Sequence, residues 1–342
     1  MGHPLRIQHE DYIYFVTNRC FQERFFFQPD EPFIAQLCRG ALAEAVNRYK
    51  VKVFTFTFMG NHFHLIVQAP LLNLDAFMKH FQSQLARRIN RHRGRHGTFF
   101  HGRYTSSPIL DEEQLAQKVV YTLLNPVAAG LVEHPWQWAG ASAYESHVTG
   151  QPVEGRWMNF RRVARYGRKH GLKGRALYNE AVLNDTFFDN VSLELAPLPL
   201  WQQEGLDERQ RSARLEQMVE EGLTALHKET TETKRSPNTR SKLRNAVFQH
   251  WSARPKNPKR GGIKPLCHTN DSHQRRLYRA YYSQCVQSYR AARAACLADP
   301  SLPHRFPHGT IPCVRSKSAA GSSQTTSKAR SRGAPGVWNI GL

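Results

Sequence analysis

Residues Val51 to Ala69 (VKVFTFTFMGNHFHLIVQA) constrain this chain more than any other stretch. From Val51 to Met59 the side chains alternate, with Phe54, Phe56 and Phe58 on one side and Val53, Thr55 and Thr57 on the other, the period of a pleated strand. Gly60-Asn61 supplies a two-residue hairpin turn, and His62 to Ala69 returns as the partner strand. Pairing across that turn sets Phe58 against Phe63, Phe56 against Leu65 and Phe54 against Val67. The other side then sets Met59 against His62, Thr57 against His64 and Thr55 against Ile66. One face becomes an apolar layer. The opposite face presents two imidazoles, two residues apart and projecting in parallel, a geometry able to hold one divalent ion.

The flanking sequence reads as the rest of an α+β domain. A β-branched and aromatic strand spans Tyr12–Cys20, and a helix with an apolar stripe follows Pro29-Asp30 as far as Tyr49. After the hairpin come an amphipathic helix from Leu74 to about His92 and an extended run from Thr98 to Ile109. A helix capped by Asp111 closes the series, and Pro126 predicts its end by about Leu124. Strand, helix, strand, strand, helix, strand is the order of a ferredoxin-like (RRM- or palm-like) antiparallel sheet with helices on one face. This domain is expected over 1–148. Beyond it we expect a helical extension (149–232), a basic and partly helical region (233–315) and a disordered basic tail (316–342). Linkers are expected at 233–242 and 254–265.

Charge points to a polyanion. The chain carries a net +21, with 15 Lys+Arg against 12 Asp+Glu in residues 1–148 and 33 against 15 in 149–342. One local exception breaks the near-neutrality of the first part. Ala76 to Leu110 holds no acidic residue, yet contains Lys79, Arg87, Arg88, Arg91, Arg93, Arg95 and Arg103. With Phe99, Phe100 and Tyr104 beside them, these cations read either as a surface for a phosphate backbone with rings stacked on bases, or as a solvated helix face. No apolar run is long enough to span a membrane and no signal peptide is recognisable, so a cytosolic, nucleoid-associated location is expected. The six cysteines form no C-x-x-C pair and read as reduced, mostly buried thiols. Cys267, His268 and Cys285 fit no zinc spacing.

On the helix after Asp111, Leu115, Val119 and Leu123 form a packing stripe, while Gln117, Tyr121 and Asn125 follow at i, i+4 and i+8 on another face. A tyrosine so placed serves either as packing at the edge of the element or as a nucleophile. A phenol is a weak nucleophile at neutral pH and needs a polarised electrophile. A metal ion on His62 and His64 could polarise a phosphodiester, Tyr121 could attack phosphorus in line, and Asn125 could give the ion a third, neutral oxygen ligand.

These residues resemble the HUH single-strand endonucleases, specifically the IS200-like tyrosine transposases and their REP-associated relatives. The matching stretches are Phe58–Val67 (FMGNHFHLIV), Phe81–Gly97 with Arg87, Arg88 and Asn90, Gly102-Arg103-Tyr104, Val120–Val132 (VYTLLNPVAAGLV) and Trp136–Ser142. The resemblance covers about residues 5–148. It implies a single-stranded DNA endonuclease and strand transferase acting at hairpin-associated sites. It further implies a 5′-phosphotyrosine with a free 3′-hydroxyl, and a Mg²⁺ or Mn²⁺ ion. By position His62 and His64 take the metal, Tyr121 is the nucleophile, and Asn125 stands where insertion-sequence members carry a longer glutamine ligand. Relatives act as dimers or alone, and either state is compatible with this sequence. Other readings are a nucleic-acid-binding protein that keeps the fold without turnover, and a relaxase or replication-initiator nickase. The latter shares only the histidine strand.

Overall fold

The computed structural model describes residues 4–232, 245, 250–253, 264–301 and 304–312. The first part follows the expected order: β1 (Ile13–Arg19), α1 (Pro32–Tyr49), β2 (Lys52–Phe58), β3 (His62–Gln68), α2 (Leu74–His92), β4 (Thr105–Ile109) and α3 (Glu112–Ala128). The four strands form one antiparallel sheet in the order β2-β3-β1-β4, which is the ferredoxin-like arrangement.

The hairpin register holds at the turn, where Phe58 faces Phe63, Thr57 faces His64 and Thr55 faces Ile66. It then slips. A bulge between Val53 and Thr55 sets Val53, not Phe54, opposite Val67. Val53 and Phe54 are both buried, at 1% and 2% exposure, because helices cover both faces of this sheet. The extended run expected from Thr98 is shorter as well, since only Thr105–Ile109 pairs as a strand and Phe100 makes an isolated bridge to Cys20.

The phenylalanine face is covered by α1 and α2. The Phe81 ring lies 5.6 Å from Phe63 and 6.3 Å from Phe58, and Phe77, Leu85 and Ile89 are fully buried beside it. The third helix, α3, crosses the opposite face over β2 and β3, burying Leu115, Val119 and Leu123. Asp111 caps it as expected, accepting the Gln114 N–H at 2.7 Å. The helix does not stop at Leu124, however; Pro126 lies inside it. In the last turn a missing N–H leaves only one carbonyl short of its partner. The chain closes instead through Ala129 N–H to Asn125 O and Leu131 N–H to Pro126 O, with Gly130 at φ +70° ending the helix.

The stretch 149–232 adds, besides helices, a second antiparallel pair. In chain order these are α4 (Tyr144–Thr149), β5 (Val153–Met158), α5 (Phe160–His170), α6 (Gly174–Leu183), β6 (Phe188–Leu193), α7 (Pro199–Gln203) and α8 (Glu208–Glu232), with β5 paired to β6. Helix α1 is shared between the two sheets, and its approach to β5 requires glycine on both sides. A Cβ on Gly40 would sit 2.2 Å from the Arg156 carbonyl oxygen, and one on Gly155 2.4 Å from the Gly40 nitrogen. Helix α8 lies on α3, burying Leu215, Val219 and Leu223.

The last helix, α9 (Ser272–Ala298), buries Tyr278, Cys285 and Cys296, while Leu277 is 39% exposed. Cys20, Cys38, Cys267 and Cys285 are free and buried, and Cys296 is buried. No described helix is long and apolar enough to cross a membrane. The expected linkers, apart from Lys264 and Pro265, and the 316–342 tail lie outside the described residues.

Candidate catalytic face

The face of the sheet turned toward α3 is built row by row from the register. Thr57, His64, Thr17 and Thr105 form one row, and Thr55, Ile66, Phe15 and Ser107 the next. His62 stands opposite Arg19 at the end. His62 and His64 lie 4.9 Å apart by ring centroid, close to perpendicular. Asn61 Oδ1 holds His62 Nδ1 at 2.7 Å, which fixes the proton there and leaves Nε2 with its lone pair. His64 is 6% exposed, and both of its ring nitrogens are buried without a hydrogen-bond partner. A buried imidazole with two idle nitrogens costs free energy unless a ligand engages it.

Tyr121 reaches this pair from α3. Its ring is edge-on to His64 at 5.7 Å and edge-on to Phe15 at 6.0 Å, and 46% of the residue stays open to solvent. Phe15 is the hub beneath both, stacked on His64 at 5.3 Å. Asn125, one turn beyond Tyr121, is half-buried, and its side chain makes no hydrogen bond among the described residues. Gln117 is exposed and bonded to Gln114 and Glu113.

Two further residues, absent from the sequence reading of this face, line it. Lys118 Nζ lies 5.0 Å from the Tyr121 ring centroid and 5.5 Å from that of Phe15, and forms no salt bridge among the described residues. Three residues before Tyr121, it shares that helical face, so the spacing could have revealed it. His268 packs edge-on against Phe15 at 5.5 Å. Nothing local to its sequence signals this, because it arrives on a segment paired to β4 from far along the chain.

The cations on the face are Lys118 and Arg19, the latter paired to Glu23 at 3.0 Å. Burial, followed by Arg19, pushes His62 down to about 4. Burial, His62, Arg19 and Lys118 hold His64 well below its ordinary value. Burial and then Lys118 bring His268 to about 4, and burial also lowers Lys118. All three imidazoles are therefore neutral near pH 7, the form that binds a metal. Among the described residues no three His, Cys, Asp or Glu side chains gather into a cage, so an ion on the imidazole pair would be completed by neutral oxygens.

The basic run of α2 is elsewhere. That helix covers the phenylalanine face, across the sheet from His62, His64 and Tyr121. Arg88, expected to touch DNA, is 4% exposed, donates to the Met158 carbonyl at 3.0 Å and stacks on Trp157 at 3.3 Å. Arg93 bonds Glu31 and Gln28, and Arg95 bonds Asn90 and Thr98 while stacking on Phe26. Tyr104 is 7% exposed beneath Arg6, and Phe99 is 3% exposed in the core. Arg91 packs over Phe160 and Tyr178. Lys79, Arg87 and Arg103 are exposed.

Residues 12–120 match the family described as "Transposase IS200 like", a span that includes both histidines and ends one residue before Tyr121. Among solved structures, a REP-associated tyrosine transposase bound to a REP hairpin is 17% identical, covering 45% of this chain and 90% of its own, with a TM-score of 0.38. A transposase structure from Deinococcus radiodurans R1 is 14% identical over 34% of this chain and 92% of its own, with a TM-score of 0.25. Likenesses of that size carry neither the fold nor the chemistry. Among curated proteins none matches the chain.

Proposed function

We propose that the chain, whose residues 12–120 match the IS200-like transposase family, is a metal-dependent, single-stranded DNA endonuclease and strand transferase acting at hairpin-associated sites. The observation that carries this reading is the meeting of Tyr121 with His64, with Lys118 beside the phenol and Arg19, paired to Glu23, at the end of the row.

His62 through Nε2 and His64 would hold the ion, with Asn125 as the neighbouring amide oxygen. When bound there, a divalent ion would supply Lewis-acid polarisation of the phosphodiester and would offset charge on the departing oxygen. Tyr121 Oη attacks phosphorus and gives up its proton to solvent, which its exposure admits. As the Tyr121 Oη–phosphorus bond forms, the bond from phosphorus to the 3′-oxygen breaks. The 3′-oxygen takes a proton, leaving a 5′-phosphotyrosine and a free 3′-hydroxyl. Attack by a 3′-hydroxyl on the phosphotyrosine reverses these changes, releases Tyr121 and joins strands. Lys118 stands where it pairs with a phosphate oxygen as negative charge develops.

The test is a labelled single-stranded hairpin oligonucleotide incubated with the protein and Mg²⁺ or Mn²⁺. Wild type forms a protein–DNA adduct that survives denaturation, Tyr121→Phe forms none, and His64→Ala is severely impaired. Tight binding with no adduct from wild type would reduce the chain to a nucleic-acid-binding protein.

A further inference from the structure

The far end of the chain is built into the catalytic sheet. His268 N–H bonds the Pro108 carbonyl at 2.8 Å, Leu110 N–H bonds the His268 carbonyl at 2.9 Å, and Ser107 Oγ donates to Pro265 O at 2.7 Å. The segment thus lies parallel along the outer edge of β4, and its imidazole abuts Phe15. Between this segment, the start of α3 and the start of α9 opens a cleft of about 440 Å³, a size that accepts a nucleotide. Its polar lining is Gln114, His268, Thr269, Asn270, Arg275 and Arg279, with no carboxylate among the lining residues.

Two acids flank it, both hydrogen-bonded to backbone. Asp111 accepts the N–H groups of Gln114 and Asn270, and Asp271 caps α9 by accepting from His273. Arg275 is anchored to the Thr269 carbonyl at 2.5 Å. Arg279 is exposed and has neither a hydrogen bond nor an ion pair among the described residues. Gln114 Nε2 already donates to Gln117 and Asn270, so Arg279, Arg275 and the Asn270 amide are the donors that line the cleft, and two guanidiniums suit a phosphate oxygen.

We propose that this cleft, framed by Gln114, Asn270, Arg275 and Arg279, is a second subsite that holds a backbone phosphate of the single-stranded DNA whose neighbouring bond Tyr121 cleaves. The inference rests on the nuclease reading for the position of the strand. Gln114 precedes Tyr121 by two helical turns, about 10 Å along the axis, or about three stacked nucleotides at ~3.4 Å each. The C-terminal region thereby measures out the strand beside the cut.

The experiment uses the full chain carrying Tyr121→Phe, so that binding is read without covalent chemistry. The affinity of fluorescent single-stranded oligonucleotides is measured against salt. Losing one phosphate contact in Arg279→Gln lowers the slope of log affinity against log salt by about 0.7 and weakens binding several-fold. Arg279→Lys, which keeps the charge, restores the slope. The effect disappears for oligonucleotides trimmed to fewer than three nucleotides on one side of the cleaved bond. Equal slopes and affinities for Arg279→Gln and its parent, with unchanged circular dichroism, would overturn the subsite. A wild-type protein that never forms an adduct, but whose binding responds to Arg279, would overturn the nuclease reading and spare the subsite as a DNA-phosphate contact.

Discussion

The Tyr121 ring stands edge-on to His64, 5.7 Å between centroids, although one residue sits on a helix and the other on a central strand of the sheet beneath it. Phe15 fixes both, stacking on the imidazole and meeting the phenol edge-on. The alignment therefore depends on an apolar ring that performs no chemistry, and on the amphipathic packing of α3 through Leu115, Val119 and Leu123.

Lys118 gives the first prediction. Its half-buried ammonium has no ion-pair partner among the described residues, and removing one such contact from a developing charge typically lowers rates by about 10²–10³. Lys118→Met should slow adduct formation by about that factor while leaving oligonucleotide affinity within a few-fold, and Lys118→Arg should recover part of the rate. Single-turnover kinetics separates the two effects.

Acid should destabilise the fold through its buried imidazoles. His62, His147 and His268 are each lowered to about 4 from an ordinary 6.5, chiefly by burial. The unfolded chain then binds more protons than the folded one between those values. Stability is full above 6.5 and falls as pH drops toward 4. Urea midpoints measured at pH 7 and pH 5 should show the loss, and His147→Phe should shrink the difference.

Gly40→Ala should be costly. The added methyl would meet backbone on β5, which cannot swing aside as a side chain does, and overpacking of this kind costs about 1–3 kcal/mol or more. Thermal melting should register the drop, and Gly102→Ala, at a site with nothing within 4 Å, serves as the control.

Arg88→Ala should behave as a packing mutation. It deletes the stack on Trp157 and the bond to Met158 O, for a loss of about 1–3 kcal/mol. The salt dependence of DNA binding should not change. A flattened slope with an unaltered melt would return Arg88 to the DNA surface.

What could be read in advance was local. The Gly60-Asn61 turn, the α2 span and the Asp111 cap each depend on a few adjacent residues, and all stand where the sequence put them. The bulge at Val53–Thr55 was hidden because alternation does not say which residue is surplus. Arg88 was misassigned to a surface by its charge, yet it follows Phe81 and Leu85 at helical spacing and so lies on the core stripe. Pro126 was given too much weight as a helix stop, since near a C-terminus it disturbs little. His268 had no local sign, because its place is set by a pairing between residues 109 and 268.

Both outer strands of the four-stranded sheet are covered by later stretches of the same polypeptide: β2 by the backbone of Ala141 and Ala143, and β4 by that of His268. The sheet's own edge protection is consequently discontinuous in sequence. A fragment trimmed to the matched family region would bare two rows of idle donors and acceptors, inviting strand-to-strand association with its own copies.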